Sequence, residues 1–270
     1  MELELLSVIL AGLLTVTSPI GLVVDKTVSK SFKSQFYKVE DVRVRIESVP
    51  THQLLQGKVD KIQVAAKGIW ITPDIRVQTL EIETDPLAFN TKELQQVQPG
   101  NFQSLLDVFQ KLPQAGLKLV FTEKDINQAL KSPKVKELIK KLLSSFSSDS
   151  AGISLQDYDF KNMQVKFLGN NRASIQMDLE KISNKENLAL KLEAGIEVLG
   201  GRKLQLTDPN ISVDDQPFPA QFFESTIEGI NQKLDLKTLE EKGILARVLK
   251  LNITNDSLEM ATFIKLQQSK

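Results

Sequence analysis

The feature that most constrains the fold is a run of strict alternation late in the chain. Leu188, Leu190, Leu192, Ala194, Ile196 and Val198 take every second position, with Lys191, Glu193 and Glu197 between them. A period of two places one set on each face of a strand. Such a strand is apolar on one side and solvated on the other, the pattern of an antiparallel sheet with one covered face. Val42, Val44 and Ile46 alternate in the same way with Arg43, Arg45 and Glu47. So do Ile62, Val64 and Ala66, then Leu117 to Phe121, then Met163, Val165 and Phe167, then Ile175, Met177 and Leu179. Leu204 and Leu206 follow, and the chain closes on Leu249, Leu251 and Ile253 and on Leu258, Met260, Thr262, Ile264 and Leu266. Gly169-Asn170-Asn171 and Gly200-Gly201 read as hairpin turns. Between Val77 and Leu80 the apolar face changes, as a bulge would cause.

The helices are fewer. Leu5 to Val24 carry no charge, and about 20 apolar residues cross a bilayer. Ser18-Pro19 interrupts the run with a helix-start signal. This divides an apolar segment, residues 1–17, from a single domain over residues 18–270. The segment reads three ways: a retained anchor, an exported signal, or a buried helix. Glu2 and Glu4 lead it, and no A-x-A cleavage pattern precedes Pro19. As an anchor, with lysines after it, it leaves the body of the chain on the cytoplasmic side. The expectation is membrane association through this segment, with the side left open.

Pro19 to Phe36 follows as a helix with Val24, Val28, Phe32 and Phe36 in one stripe. Phe102, Leu105, Leu106 and Phe109 suggest a short helix ended by Pro113. Thr122 reads as an N-cap with Glu123 and Asp125 in the first turn. Pro133 to Phe146 is amphipathic, and Ser144 to Ser150 is a serine-rich connector. Pro217-Phe218-Pro219 introduces a helix, Ala220 to Leu234, with Phe223, Ile227, Ile230 and Leu234 on one face.

The class is therefore α+β: a long, curved, mostly antiparallel sheet wrapping around helices. One-sided strands must cover their apolar face. With few helices to do it, an elongated apolar groove is left. The groove candidates are Val24, Val28, Phe32 and Phe36; Leu188, Leu190, Leu192 and Ile196; and Phe223, Ile227, Ile230 and Leu234. On the Pro133 helix, Lys134, Lys136, Lys140 and Lys141 border the apolar arc and are membrane-surface candidates. The alternative there is an ordinary helix with solvated lysines.

Lys+Arg and Asp+Glu both total 34, which argues against a nucleic-acid partner. No cysteine is present, which removes thiolate chemistry and cysteine metal sites. The one histidine, His52, sits beside a turn with no second histidine to share a metal. Asp157 and Asp159, and the Asp214-Asp215 turn, read as solvated carboxylates, and Trp70 as core. No nucleophile, phosphate-loop or dinucleotide motif is found. The residues give no catalytic set, no metal site and no cofactor, so an enzyme is not expected.

Several short segments, in order, are similar to the LmeA-like phospholipid-binding family. They are Pro50 with Leu54-Leu55-Gln56-Gly57-Lys58-Val59; Leu119-Val120-Phe121-Thr122-Glu123-Lys124-Asp125-Ile126-Asn127 with Ala129-Leu130-Lys131-Ser132; and Ile230-Asn231, Leu234-Asp235-Leu236 and Gly243-Ile244. The resemblance runs from about Pro19 to Leu266. It implies association with the bacterial envelope, phospholipid held in an apolar groove, no catalytic residues, and kinship with tubular lipid-binding folds in which a curved sheet wraps a long helix. The acidic N-terminus departs from an exported pattern. The expected function is non-catalytic binding of phospholipid or another acyl lipid at a membrane, for carriage or membrane maintenance. The alternative is a scaffold whose groove is filled by its own helices and which binds a protein the sequence does not identify.

Overall fold

The structure is a computed structural model, and it describes residue 33 and residues 36–94, 107–144, 157–219 and 223–267. In chain order the strands are β1 (Lys38–Glu47), β2 (Lys58–Val59), β3 (Lys61–Trp70), β4 (Arg76–Thr84), β5 (Leu87–Ala88), β6 (Gln114–Thr122), β7 (Tyr158–Gly169), β8 (Arg172–Lys181), β9 (Asn187–Leu199), β10 (Lys203–Val213), β11 (Gln216–Phe218), β12 (Ile244–Ile253) and β13 (Ser257–Leu266). The helices are α1 (Thr91–Leu94), α2 (Glu123–Ala129), α3 (Pro133–Ser144), α4 (Glu224–Lys233) and α5 (Lys237–Glu240). The chain is mostly antiparallel sheet with a few helices, as the alternation requires.

Among the described residues the strands divide into a six-stranded sheet, β1-β3-β4-β6-β13-β12, and a five-stranded sheet, β11-β10-β9-β8-β7, with β2 and β5 as a small separate ladder. The second sheet is a meander of hairpins. The first is closed by the last two strands of the chain, since β13 returns to pair with β6, Met260 opposite Leu119. That long-range pairing leaves no trace in local periodicity. Apolar residues line up across the first sheet. One row is Val44–Val64–Ile82–Leu117–Thr262–Val248; the next is Val42–Ala66–Leu80–Leu119–Met260–Leu251. With Phe36, Phe89, Val108 and Phe109, strands β1, β3, β4 and β6 build the larger core cluster.

Four local expectations are corrected. No residue is inserted in β4: the register with β3 is unbroken from Gln63↔Glu83 to Trp70↔Arg76. The change of face falls instead at Gly68 of β3, whose φ of +57° suits glycine, with the Glu40 side chain where a Cβ would lie. Val77 and Leu80 are then both buried. Phe109 is not helical but bridges Phe89 as an isolated antiparallel pair, because burying both rings in the first core outweighs the local helical spacing. Pro217 and Phe218 belong to a strand, β11, paired with Ser212 and Ile211; an edge strand tolerates Pro217, which has no N–H to offer. Leu249 does not share the inner face with Leu251 and Ile253. The β12 register shifts between Val248 and Lys250, so Val248 takes the inner position and Leu249 is 71% exposed.

The two sheets are joined through α2. Thr122 caps this helix: its Oγ1 accepts from Asp125 N–H at 3.1 Å, and Asp125 Oδ2 accepts from Thr122 N–H at 3.0 Å. The other oxygen, Asp125 Oδ1, accepts from Arg76 Nη1 at 2.9 Å. Burial works against the charge on Arg76, but the hydrogen bond and charge of Asp125, helped by Glu40, more than offset it and raise the guanidinium's pKa. Asp125 thereby ties α2 to β4 of the first sheet. Glu123 and Asn127, one helical turn apart on α2, reach the second sheet. Glu123 Oε2 accepts from Phe167 N–H at 2.8 Å, and Asn127 makes two hydrogen bonds to Val165. A second junction lies at β12, where Ile253 N–H donates to Asn171 Oδ1 at 2.8 Å and Asn171 N–H returns to Ile253 O at 3.2 Å.

Candidate functional site

The second sheet carries the more open apolar surface. Its strands place one row across five strands: Val165–Ile175–Leu192–Ile211–Phe218. Beside it runs Met163–Met177–Leu190–Val213, and then Leu179 opposite Leu188. With strands about 4.8 Å apart, the longer row spans roughly 19 Å. Helix α4 lies over this face. Phe223, Ile227 and Ile230 are on its inner stripe, and the Phe223 ring meets Phe218 edge-on at 5.6 Å.

The position of α4 follows from hydrogen bonds to a strand edge. Strand β11 pairs only with Ile211–Val213, so the first part of β10, paired with β9 on one side, has no strand on its outer edge among the described residues. The C-terminal end of α4 takes that place. Leu206 N–H donates to Asn231 Oδ1 at 2.9 Å, Leu204 N–H to Leu234 O at 3.3 Å, and Leu236 N–H to Arg202 O at 3.2 Å. An edge that would otherwise invite another chain is thereby closed.

Among the described residues, cover over this surface is incomplete. Leu179, Leu190, Ile211, Met177 and Phe223 are buried, but Leu188, Leu192, Ile175, Met163, Val213, Ile227 and Ile230 are only partly so. The first cluster is the reverse, with most of its described members buried. One polar group lies on the inner stripe of α4. Thr226 is 7% exposed, and its Oγ1 has no hydrogen-bond partner.

The sequence candidates divide as follows. Leu188, Leu190 and Leu192 come together with Phe223, Ile227 and Ile230 in this one cluster. Leu234 caps the end of α4 and contributes its carbonyl rather than a share of the cluster. Ile196 pairs with Leu206 further along β9 and lines a separate cleft of about 560 Å³ with Val198, Val248, Leu249 and Leu251. Phe36 belongs to the first core cluster, on the other sheet. Val24, Val28 and Phe32, with residues 1–17, lie outside the described residues. Lys134, Lys136, Lys140 and Lys141 are all exposed on α3. Lys140 pairs with Asp159 at 3.5 Å and Lys141 with Glu137 at 2.8 Å. Sequence reasoning missed Ile211 and Val213, whose signal is blurred by the bulge between Thr207 and Asn210, and Phe218, which follows Pro217 on the short edge strand β11.

Among the described residues no group of three or more histidine, aspartate or glutamate side chains could hold a metal ion. A cleft of about 670 Å³ crosses the first sheet near Gly116 and Ala261, and its charged residues are ion-paired: Lys118 with Glu81 across the cleft, and Glu83, Arg43 and Arg45 with Lys61, Asp41 and Glu47 outside it. His52 is exposed in a 3-10 turn, Thr51–Gln56. Among the described residues no helix is long and apolar enough to cross a membrane.

Comparison with known proteins gives one match. A family model described as LmeA-like phospholipid-binding matches residues 15–263, nearly the whole chain. No curated protein and no solved structure matches. The chain belongs to the LmeA-like phospholipid-binding family.

Proposed function

We propose that this member of the LmeA-like phospholipid-binding family binds phospholipid without transforming it, laying acyl chain along the second sheet beneath α4. The observation that carries the reading is the incomplete cover of that face: Leu192, Ile175, Ile227 and Ile230 stay partly exposed between a helix and a sheet. Apolar surface left facing water is a standing cost of about 25 cal/mol per Å². An acyl chain in the channel removes it. Leu188, Leu190, Leu192, Phe223, Ile227 and Ile230 are the residues that meet the chain. Val24, Val28 and Phe32, outside the described residues, remain candidates to meet the chain, while Phe36 in the first core, Ile196 in its own cleft and Leu234 at the end of α4 do not line this face. Residues 18–270 act as one lipid-binding unit, and residues 1–17 hold it at the membrane. The role is lipid carriage or membrane maintenance.

Lipid extraction and mass spectrometry of purified wild type and Leu192→Asp test this, each alongside a thermal melt. The expected result is phospholipid with the wild type, and loss of it in the variant with the melting transition retained. A wild type without lipid, paired with an unfolded variant, contradicts the reading and favours a self-filled scaffold.

A further inference from the structure

Helix α3 has two working sides. Inward, Ile139 packs against the apolar cluster of the second sheet. Outward, its neighbour Leu138 is 46% exposed, with Lys134 one turn before it and Lys141 one turn after it. An amphipathic helix serving only to cover a sheet would turn its leucines in and leave charge outside. A second exposed apolar side chain lies at the same end of the sheet. Ile182, at the β8–β9 turn, is 55% exposed. Its N–H donates to Asp157 O at 2.8 Å, two residues from Asp159, which pairs with Lys140 of α3. The start of β7 therefore brings Leu138 and Ile182 to one end of the second sheet.

The charge around this pair belongs to the same end. Helix α3 carries Lys134, Lys136, Lys140 and Lys141 against Glu137 alone. Lys161 and Lys185 lie across the adjoining strand ends, both paired with Glu180. Apolar side chains rimmed by lysines suit the boundary between headgroups and acyl chains of an anionic bilayer.

We infer that the α3 and β8–β9 end of the second sheet is the face that docks on anionic phospholipid bilayer, with Leu138 and Ile182 entering the acyl boundary and the four α3 lysines meeting headgroups. The inference rests on the acyl-lipid reading above and adds to it the place of exchange. The helix that touches the bilayer on one side touches the channel cluster, through Ile139, on the other. A lipid leaving the bilayer here has the shortest path into the channel.

The absence of native cysteine allows a site-by-site test. Leu138→Cys, Ile182→Cys and, as control, Leu249→Cys in the full chain are each labelled with an environment-sensitive fluorophore and mixed with vesicles of phosphatidylglycerol and phosphatidylcholine, or of phosphatidylcholine alone. Leu249 is as open as Ile182 but lies on β12. Labels at 138 and 182 should shift to the blue on the anionic vesicles and be quenched by spin-labelled acyl chains, while the label at 249 stays in water. High salt, or Lys134→Gln with Lys136→Gln, Lys140→Gln and Lys141→Gln, should reduce the 138 and 182 signals several-fold. Labels at 138 and 182 that stay in water on vesicle-bound protein overturn the inference, as does an equal response at 249 or no vesicle binding. Lipid extraction from the unlabelled wild type separates that failure from failure of the acyl-channel reading.

Discussion

Asn127 stands in for a strand beside Val165. Its Nδ2 donates to Val165 O at 2.7 Å, and its Oδ1 accepts from Val165 N–H at 2.8 Å. One side-chain amide thus pairs both backbone groups of a residue at the open edge of the second sheet. Asn171 does the same for Ile253 with one side-chain and one backbone bond, and Asn231 satisfies Leu206 N–H at the opposite edge.

Asn127→Ala should therefore destabilise the chain by about 2 kcal/mol, for three lost hydrogen bonds, two of them to Val165 backbone groups that are left unpaired. Urea denaturation measures the loss. Hydrogen exchange should show the Val165 amide deprotected while Met177, inside the sheet, stays protected. Lys124→Ala, on the exposed side of the same helix, should stay within about 0.5 kcal/mol of wild type.

The strands were legible because their burial is one-sided, and the Thr122 cap because a capping box is local. The two junctions were not. Thr122 to Asn127 reads in sequence as a capped helix start and a family segment, with no sign that Glu123 and Asn127 grip one sheet and Asp125 the other. Edge closure is tertiary, since the partner of Asn127 lies 38 positions away. The apolar cluster of the second sheet was half legible. Alternation marks Leu188, Leu190 and Leu192, and helical spacing marks Phe223, Ile227 and Ile230, but Ile211 is hidden by a bulge and Phe218 by a proline-flanked edge strand. Leu249 shows the converse, a periodic leucine thrown outward by one inserted residue.

Asp125 is 4% exposed and meets an Arg76 side chain that is 17% exposed. Asp125→Ala removes the return half of the capping box, the bond from Thr122 N–H, and takes from the guanidinium its buried partner, leaving it Glu40 at 3.4 Å; it should cost about 3 kcal/mol. A double-mutant cycle with Arg76→Met measures the coupling. Independent, additive losses would contradict the pairing.

Thr226 holds a buried hydroxyl with no partner on the inner face of α4. Thr226→Val keeps the shape and removes the unpaired group, so it should stabilise lipid-free protein by about 1 kcal/mol. A calorimetric melt after delipidation reads the shift. A lower melting temperature would mean that the hydroxyl has a partner in solution.

Glu180 is held below the usual carboxylate range by hydrogen bonds from Lys161 and Lys185, against a small opposing effect of burial. A carboxyl lowered on folding adds stability above its unfolded pKa and loses it as pH falls through the folded value. Glu180→Gln should therefore flatten the fall in melting temperature below about pH 4.3, the unfolded glutamate value, and change little at pH 7, where exposed pairs contribute weakly.

Methyl NMR with a phospholipid carrying a spin label on its acyl chain reads the place of that chain on the protein. The label should broaden the methyls of Leu192, Ile175, Ile227 and Ile230 and spare Ile62 and Val64, which are 0% and 2% exposed in the first core. Broadening centred on the first sheet, or none at saturating lipid, would contradict an acyl chain laid along the second sheet.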